Sequence, residues 1–419
     1  MDLELQGVAS CASMACHHAN GPKGSWRSEY TTWAMYDPHA RAYEVLFEDR
    51  SERIAKNLHT GAAYKDARCL SCHVYPGVQS PESKRASALN DRFALEDGVG
   101  CEACHGAAQN WKAEHYKWQN LPNKAELQDS YKMARTEDLT VRAEKCVVCH
   151  VGSSKADVNH DLIAAGHPRL NFEFGAYHAN MPHHWREEKD RANRPDFEAR
   201  AWVIGQIVSA KAALELLAFR AAKENDRPWP EFAEYDCFAC HHDLQAKSWR
   251  QERGYASRKA GELIWGTWYM SMLPRAVEAV LERSDPIVST EIKAVEAEMQ
   301  KLSPVPSRVA ERAHKLAGRL QQLEKDLDHL HFDQKRLRVL LATIRQSDEK
   351  LTAQTWDNAA QFYLTIVALH QARRDSEHEY KDPSLRATLE EMAKQLEFPE
   401  RYDSPRNFAP LLRMNNTRQ

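Results

Sequence analysis

The sequence predicts a mainly α-helical protein in two parts. The first part is loop-rich, with little room for an ordinary apolar core. The second is an antiparallel helical bundle of coiled-coil character. Three observations carry this. All ten cysteines lie before residue 241, in five close pairs. Twenty histidines accompany them. From residue 275 to the end there is no cysteine, a single glycine (Gly318), and apolar residues at helical spacing.

With 419 residues the chain exceeds what one core usually covers, so two or three domains are expected. A charged fraction of 28% predicts a soluble protein, and no apolar run is expected to cross a membrane. The formal charge of −3 shows no nucleic-acid footprint.

Four cysteine pairs read Cys-x-x-Cys-His: Cys69/Cys72/His73, Cys101/Cys104/His105, Cys146/Cys149/His150 and Cys237/Cys240/His241. The opening pair, Cys11 and Cys16 before His17, is two residues longer. Cys-x-x-Cys-His is the attachment signature of c-type haem. Two thiols bond the two vinyl groups of one porphyrin, and the following histidine binds the iron from below. Zinc knuckles need no histidine after every second cysteine. Five redox disulfides in one chain are implausible. The stretched first motif keeps its histidine, and a small bulge absorbs the extra residues. It is read as a haem site, against a disulfide or a lost site.

The expectation is therefore five covalent haem c groups, with the porphyrins as the core of a loop-rich multihaem cytochrome domain over residues 1–274. Covalent attachment follows export, which predicts a periplasmic or otherwise exported protein. The leader is absent from this chain and expected to have been removed.

A helix is expected over 199–223, with Trp202, Ile207, Ala210, Leu214 and Leu217 near helical period. A second helical stretch is expected at about 248–272, its Trp249, Trp265 and Trp268 packing on porphyrins or on each other. The bundle is expected over 275–419. Its apolar row runs Val309, Ala313, Leu316, Leu320, Leu323, Leu327, Leu330, Leu337, Leu341 and Ile344, broken at Gln334. Such heptads predict one long coiled-coil-type helix. A further helix is expected over 353–373. The row serves either the bundle itself or a docking or dimerisation surface.

Histidine surplus predicts bis-histidine iron. The proximal ligands are His17, His73, His105, His150 and His241. The segment "HDLIAAGHPRLNFEF" offers His160 and His167 as distal candidates for the fourth or fifth haem. His178, His183 and His184 are weaker candidates, and His18 and His242 reach at most a neighbouring haem. His314, His329, His331, His370 and His378 are expected on the surface or in the bundle. Arg142, Lys145 and Arg169 are candidate partners of haem propionates.

The blocks "SWRSEYTTWAMYDPHARAY", "CLSCHV", "DGVGCEACHGAAQNWKAEH" and "KCVVCHVG" resemble the multihaem cytochrome c-554 family over residues 8–185. Its tetrahaem prototype accepts electrons from hydroxylamine oxidoreductase. The resemblance implies that His39 and His115 are distal ligands. It also implies that the second haem, here on His73, is open. The fifth motif (in the segment 186–274), the stretched first motif and the helical C-terminus depart from that pattern.

The expected function is electron transfer between redox partners, either other cytochromes or an oxidoreductase. The alternative is a reductase acting on nitric oxide, nitrite, hydroxylamine or peroxide at one five-coordinate haem, the candidate being the iron at His73. No Cys-x-x-Cys-Lys motif favours the alternative.

Overall fold

The computed structural model describes residues 5–75, 95–186, 191–222, 227–241, 263–347, 355–377 and 380–396. Among these residues there are helices, turns and two isolated bridges, Ser153–Ala156 and Tyr235–Trp265, and no strand. The fold is mainly α, as expected. The chain forms two compact units, residues 1–172 with 177–193, and 173–176 with 194–419.

The first unit is built of short helices: α1 (Glu29–Tyr36), α2 (Asp49–Asn57), α3 (Ala67–His73), α4 (Cys101–His105), α5 (Lys124–Tyr131), α6 (Leu139–His150) and α7 (His160–Ala164). α8 (Phe174–Asn180) carries His178. Side-chain caps decide where several begin. Asp66 accepts from the Arg68 N–H at the start of α3, Asp138 from Thr140 at α6, and Asn159 from Leu162 at α7. The apolar packing is divided into small clusters. One joins Tyr43, Leu46, Ala55, Ala63, Leu70 and Val74. Others join Ile54 to Leu162 and Ala165, and Ala108 to Trp111 and Trp118.

The second unit has a continuous core. It contains α9 (Phe197–Arg220), α10 (Leu273–Leu281), α11 (Pro286–Met299), α12 (Pro306–Leu327), α13 (Gln334–Ser347), α14 (Trp356–Ser376) and α15 (Pro383–Gln395). α9 is the centre. It packs on α12, α10 and α14, while α11 lies on α12 and α13 on α14. Trp202, Val203, Ile204, Ile207, Val208, Leu214 and Leu217 are all buried, so α9 is apolar around its circumference. Two of its buried polar groups find partners across the α14 interface. The Trp202 indole N–H donates to Thr365 at 3.0 Å, and the Gln206 amide donates to Gln361 at 2.9 Å. Gly205 permits the close approach of Phe174, whose Cβ would stand 2.6 Å from a Cβ at that position.

Several expectations need correction. The heptad row is split between α12 and α13, because residues 328–333 turn and Asp333 caps α13 at the Arg336 N–H. The row is nonetheless buried from Val309 to Ile344. Residues 263–272 are not helical. Trp265 bridges to Tyr235, and Trp268 stacks on Trp356 at 5.8 Å. Residues 248–262, including Trp249, lie outside the described residues. Length and composition alone would let α9 cross a membrane, but most of its apolar window is buried in the unit. The unit division near residue 193 also differs from the change of composition at 275. It places α9 and the fifth motif, Cys237 and Cys240 with His241, in the bundle's unit, because α9 supplies the bundle's core.

Candidate haem sites

Three of the four motifs in the first unit close a helix: α3 ends at His73, α4 at His105 and α6 at His150. Cysteines three residues apart on a helix share one face, which places both thiols beside the same turn as the histidine. The first motif rebuilds such a turn after its two extra residues. The N–H groups of Cys16 and His17 donate to the Ser13 carbonyl at 2.9 and 3.0 Å.

The fifth motif, in the second unit, forms a shorter turn. The N–H groups of Cys240 and His241 donate to the Cys237 carbonyl at 3.2 and 2.8 Å. In the second unit Cys240 is exposed, whereas Cys237 is half-buried. The local fold gives the reason. The 3-10 turn covers only Cys237–Ala239, and its Phe238 and Ala239 take the buried side. Cys240 follows that turn and faces outward. Cys16 and Cys104 are exposed as well.

The thiols converge between motifs. Cys11 lies beside Cys101, and Cys72 beside Cys149. The neighbouring Cys101 holds Cys11 down to about 7, whereas burial pushes Cys69 up to about 11 and Cys146 up to about 12. The first attachment site therefore adjoins the third, and the second adjoins the fourth. Among the described residues, no three or more His, Cys, Asp or Glu side chains form a metal-ion site. Two thiols beside one imidazole, repeated along the chain, suit porphyrin attachment and not a zinc knuckle.

The imidazoles supply a second test of fit. Two histidines sharing one metal, each about 2 Å from it, place their ring centroids about 6 Å apart. His17 and His115 stand 6.0 Å apart. His39 and His150 stand 5.9 Å apart, and His105 and His184 stand 6.1 Å apart. Each pair joins a motif histidine to one from a distant part of the chain. His39 and His115 were singled out by sequence. His184 ranked only among the weaker candidates, and nothing in "MPHHW" marks it locally.

Neighbouring groups orient these rings. The Nδ1 of His17 meets Glu29 at 3.0 Å and that of His39 meets Asp37 at 2.9 Å. The Nδ1 of His73 donates to the Ala42 carbonyl at 2.7 Å, and that of His115 donates to the Lys112 carbonyl at 2.9 Å. Tying Nδ1 leaves Nε2 with the lone pair, as metal-binding histidines require. The Nδ1 of His184 is buried without a hydrogen-bond partner. Burial also holds the rings neutral. It pushes His105 down to about 3 and His150 down to about 4, and it lowers His73, His115 and His184. His17 is instead raised, chiefly by its hydrogen bond with Glu29. Burial works to raise Asp37, but its hydrogen bond and charge interaction with His39 leave it below the ordinary carboxylate value.

A buried carboxylate holds two motifs together. Glu102, inside the third motif, accepts from the N–H groups of Gln6 and Gly7, both ahead of the first motif, and from that of Ala108. Sequence reading missed it, because a glutamate at an x position of Cys-x-x-Cys-His carries no signal.

The remaining histidines are placed differently. His160 begins α7 and His167 follows its end. His178 accepts from Arg142 at 2.6 Å, and Arg142 also lies over Trp185 and donates to the Thr136 carbonyl. His183 donates to the His178 carbonyl. His18 packs on Tyr30. In the second unit His331 meets Asp196 and His370 meets Tyr380. His242 and His378 lie outside the described residues.

The family model described as cytochrome c554 and c-prime matches residues 10–106. Cytochrome c-554 of Nitrosomonas europaea is 26% identical over 159 residues, covering 36% of this chain and 59% of that protein. The N-terminal part of the chain is c-554-like. The chain thus spans about three fifths of the relative's length. No solved structure matches the chain. Within the c-554-like part lie the first three motifs and His39, the partner of His150.

Proposed function

We propose that the chain is an exported pentahaem c-type cytochrome that carries electrons between redox partner proteins. The five cysteine pairs, from Cys11 and Cys16 to Cys237 and Cys240, would hold the haems. His17, His73, His105, His150 and His241 would bind their irons. When bound, haem c supplies an iron that gains and loses one electron. The observation that carries the reading is the set of three histidine pairs at 5.9–6.1 Å, each uniting a motif histidine with a remote one. On this reading His115, His39 and His184 are the distal ligands of the first, fourth and third haems.

The residues of this chain do three things. They keep His73, His105, His115, His150 and His184 neutral by burial, aim His17, His39, His73 and His115 by an Nδ1 contact, and bring four of the attachment sites together in two adjacent pairs. Capped irons close to one another pass electrons without exposing an iron to small molecules. Covalent attachment after export supports a periplasmic or other exported location.

The test is to mix the fully reduced protein with an oxidised monohaem cytochrome c in a stopped-flow instrument. Rapid delivery of up to five electrons per chain is expected. Failure to reduce the protein acceptor, together with turnover of nitric oxide, nitrite, hydroxylamine or peroxide, would replace the carrier by an enzyme.

A further inference from the structure

We propose that the iron of the second haem, bound by His73, takes His167 as its other axial ligand, so that this haem is capped. The proposal rests on the haem reading above and goes beyond it. It departs from the open second haem that the family resemblance implies, and it moves His167 away from the fourth and fifth haems.

The support begins with α2, which packs in two directions. Its Ala55 joins the cluster containing Leu70 of α3 and the neighbouring Val74, at the second motif. The adjacent Ile54 packs on Leu162 of α7 and on Ala165. Polar contacts fix the same arrangement. Arg50 donates from Nη2 and Nε to the Gly166 carbonyl at 2.8 and 3.2 Å. Asn57 donates to the Ala165 carbonyl at 3.0 Å. One helix thus grips the second motif and the two residues that precede His167.

The end of α7 aims His167. Gly166 has φ +121°, a conformation open to glycine and strained for other residues. The Gly166 N–H donates to the Ile163 carbonyl and the His167 N–H to the Leu162 carbonyl. These two bonds form a Schellman turn, and they set where the backbone leaves the helix.

The two imidazoles carry matching chemistry. His167 donates Nδ1–H to the Pro168 carbonyl at 2.8 Å, and His73 donates Nδ1–H to the Ala42 carbonyl at 2.7 Å. A carbonyl can only accept, so each ring keeps its lone pair on Nε2. What joins them is the shared support on α2, not ring contact as in the other three pairs.

The experiment compares low-temperature electron paramagnetic resonance spectra of the oxidised holoprotein with those of three variants. In the wild type the second haem is expected to be low-spin and inert to cyanide. His167→Ala should convert one haem to high spin, and added imidazole should return it to low spin. Replacing Cys69 and Cys72 by alanine as well should abolish that new signal, which assigns it to the second haem. His167→Met keeps a ligand and should raise the potential of one haem, a readout that remains if the alanine variant does not fold. A wild-type high-spin signal that is lost with Cys69 and Cys72 would overturn the proposal. So would a His167→Ala spectrum with no new high-spin haem. Low-spin signals from the other three pairs report on the haem reading separately, whatever His167 does.

Discussion

At the scale of single residues, what orients the candidate site is the hydrogen bonding around it. His39, His73, His115 and His167 each have Nδ1 committed to an oxygen. Such contacts set which nitrogen is offered to a metal. Glu102 acts one step further out, gripping the backbone of Gln6 and Gly7. Hydrogen bonds to a charged acceptor are worth about 1.5–3 kcal/mol each. Glu102→Gln leaves one carbonyl oxygen for these donors and turns an NH2 towards them. It is predicted to lower the stability of the first unit by about 2 kcal/mol or more, measured as the shift of its urea midpoint. An unchanged midpoint would show that the grip carries no weight.

The difference between legible and illegible residues also belongs to this scale. The motif cysteines and histidines stand out because covalent attachment fixes their spacing. Spacing says nothing of burial, so the exposure of Cys240 was not legible. A distal histidine obeys no local rule, because it arrives from another part of the chain. His39 and His115 were visible through family resemblance, His184 stood only among weaker candidates until the fold set it beside His105, and Glu102 became visible only through the fold.

At the scale of elements, capping and turns decide more than periodicity does. The heptad row suggested one helix, yet the turn at residues 328–333 and the Asp333 cap divide it. The row survives as a buried face because each apolar residue needs a neighbour, not an unbroken helix. The opposite failure occurs at 263–272, where spaced tryptophans suggested a helix and the chain instead forms turns and a bridge.

Asp285 shows how much a cap carries. It accepts from the N–H groups of Ile287 and Val288 at the start of α11, and Arg319 of α12 pairs with it at 2.7 Å. Burial works to raise its pKa, and these hydrogen bonds and the Arg319 charge bring it below the ordinary value. A carboxylate depressed on folding stabilises the fold fully above its unfolded pKa, about 3.9. That contribution fades as pH falls through the lower folded value. Asp285→Asn is therefore predicted to cost at least about 1 kcal/mol near neutral pH, and the gap from wild type should narrow below about pH 4. Urea titrations across pH check this, and a gap that widens in acid would reverse the sign.

At the scale of the whole molecule, the question is whether the coiled-coil row is shared between chains. Val309, Ala313, Leu316 and Leu320 are wholly buried by other residues of the same chain. No part of that face is left for a partner. Leu320→Ala is predicted to cost about 2–5 kcal/mol, and the unfolding midpoint should not depend on protein concentration. A midpoint that rises with concentration would show that two chains share the row.

The central claim is that every cysteine pair holds a haem, the stretched opening motif included. The most direct test is the intact mass of the denatured protein, with haem c counted by pyridine haemochrome on the same sample. Five covalent haems per chain are predicted for the wild type, and four when Cys11 and Cys16 are both replaced by alanine. A wild-type count of four, unchanged by that replacement, would contradict the claim for the first motif, and a chain without covalent haem would overturn the account altogether.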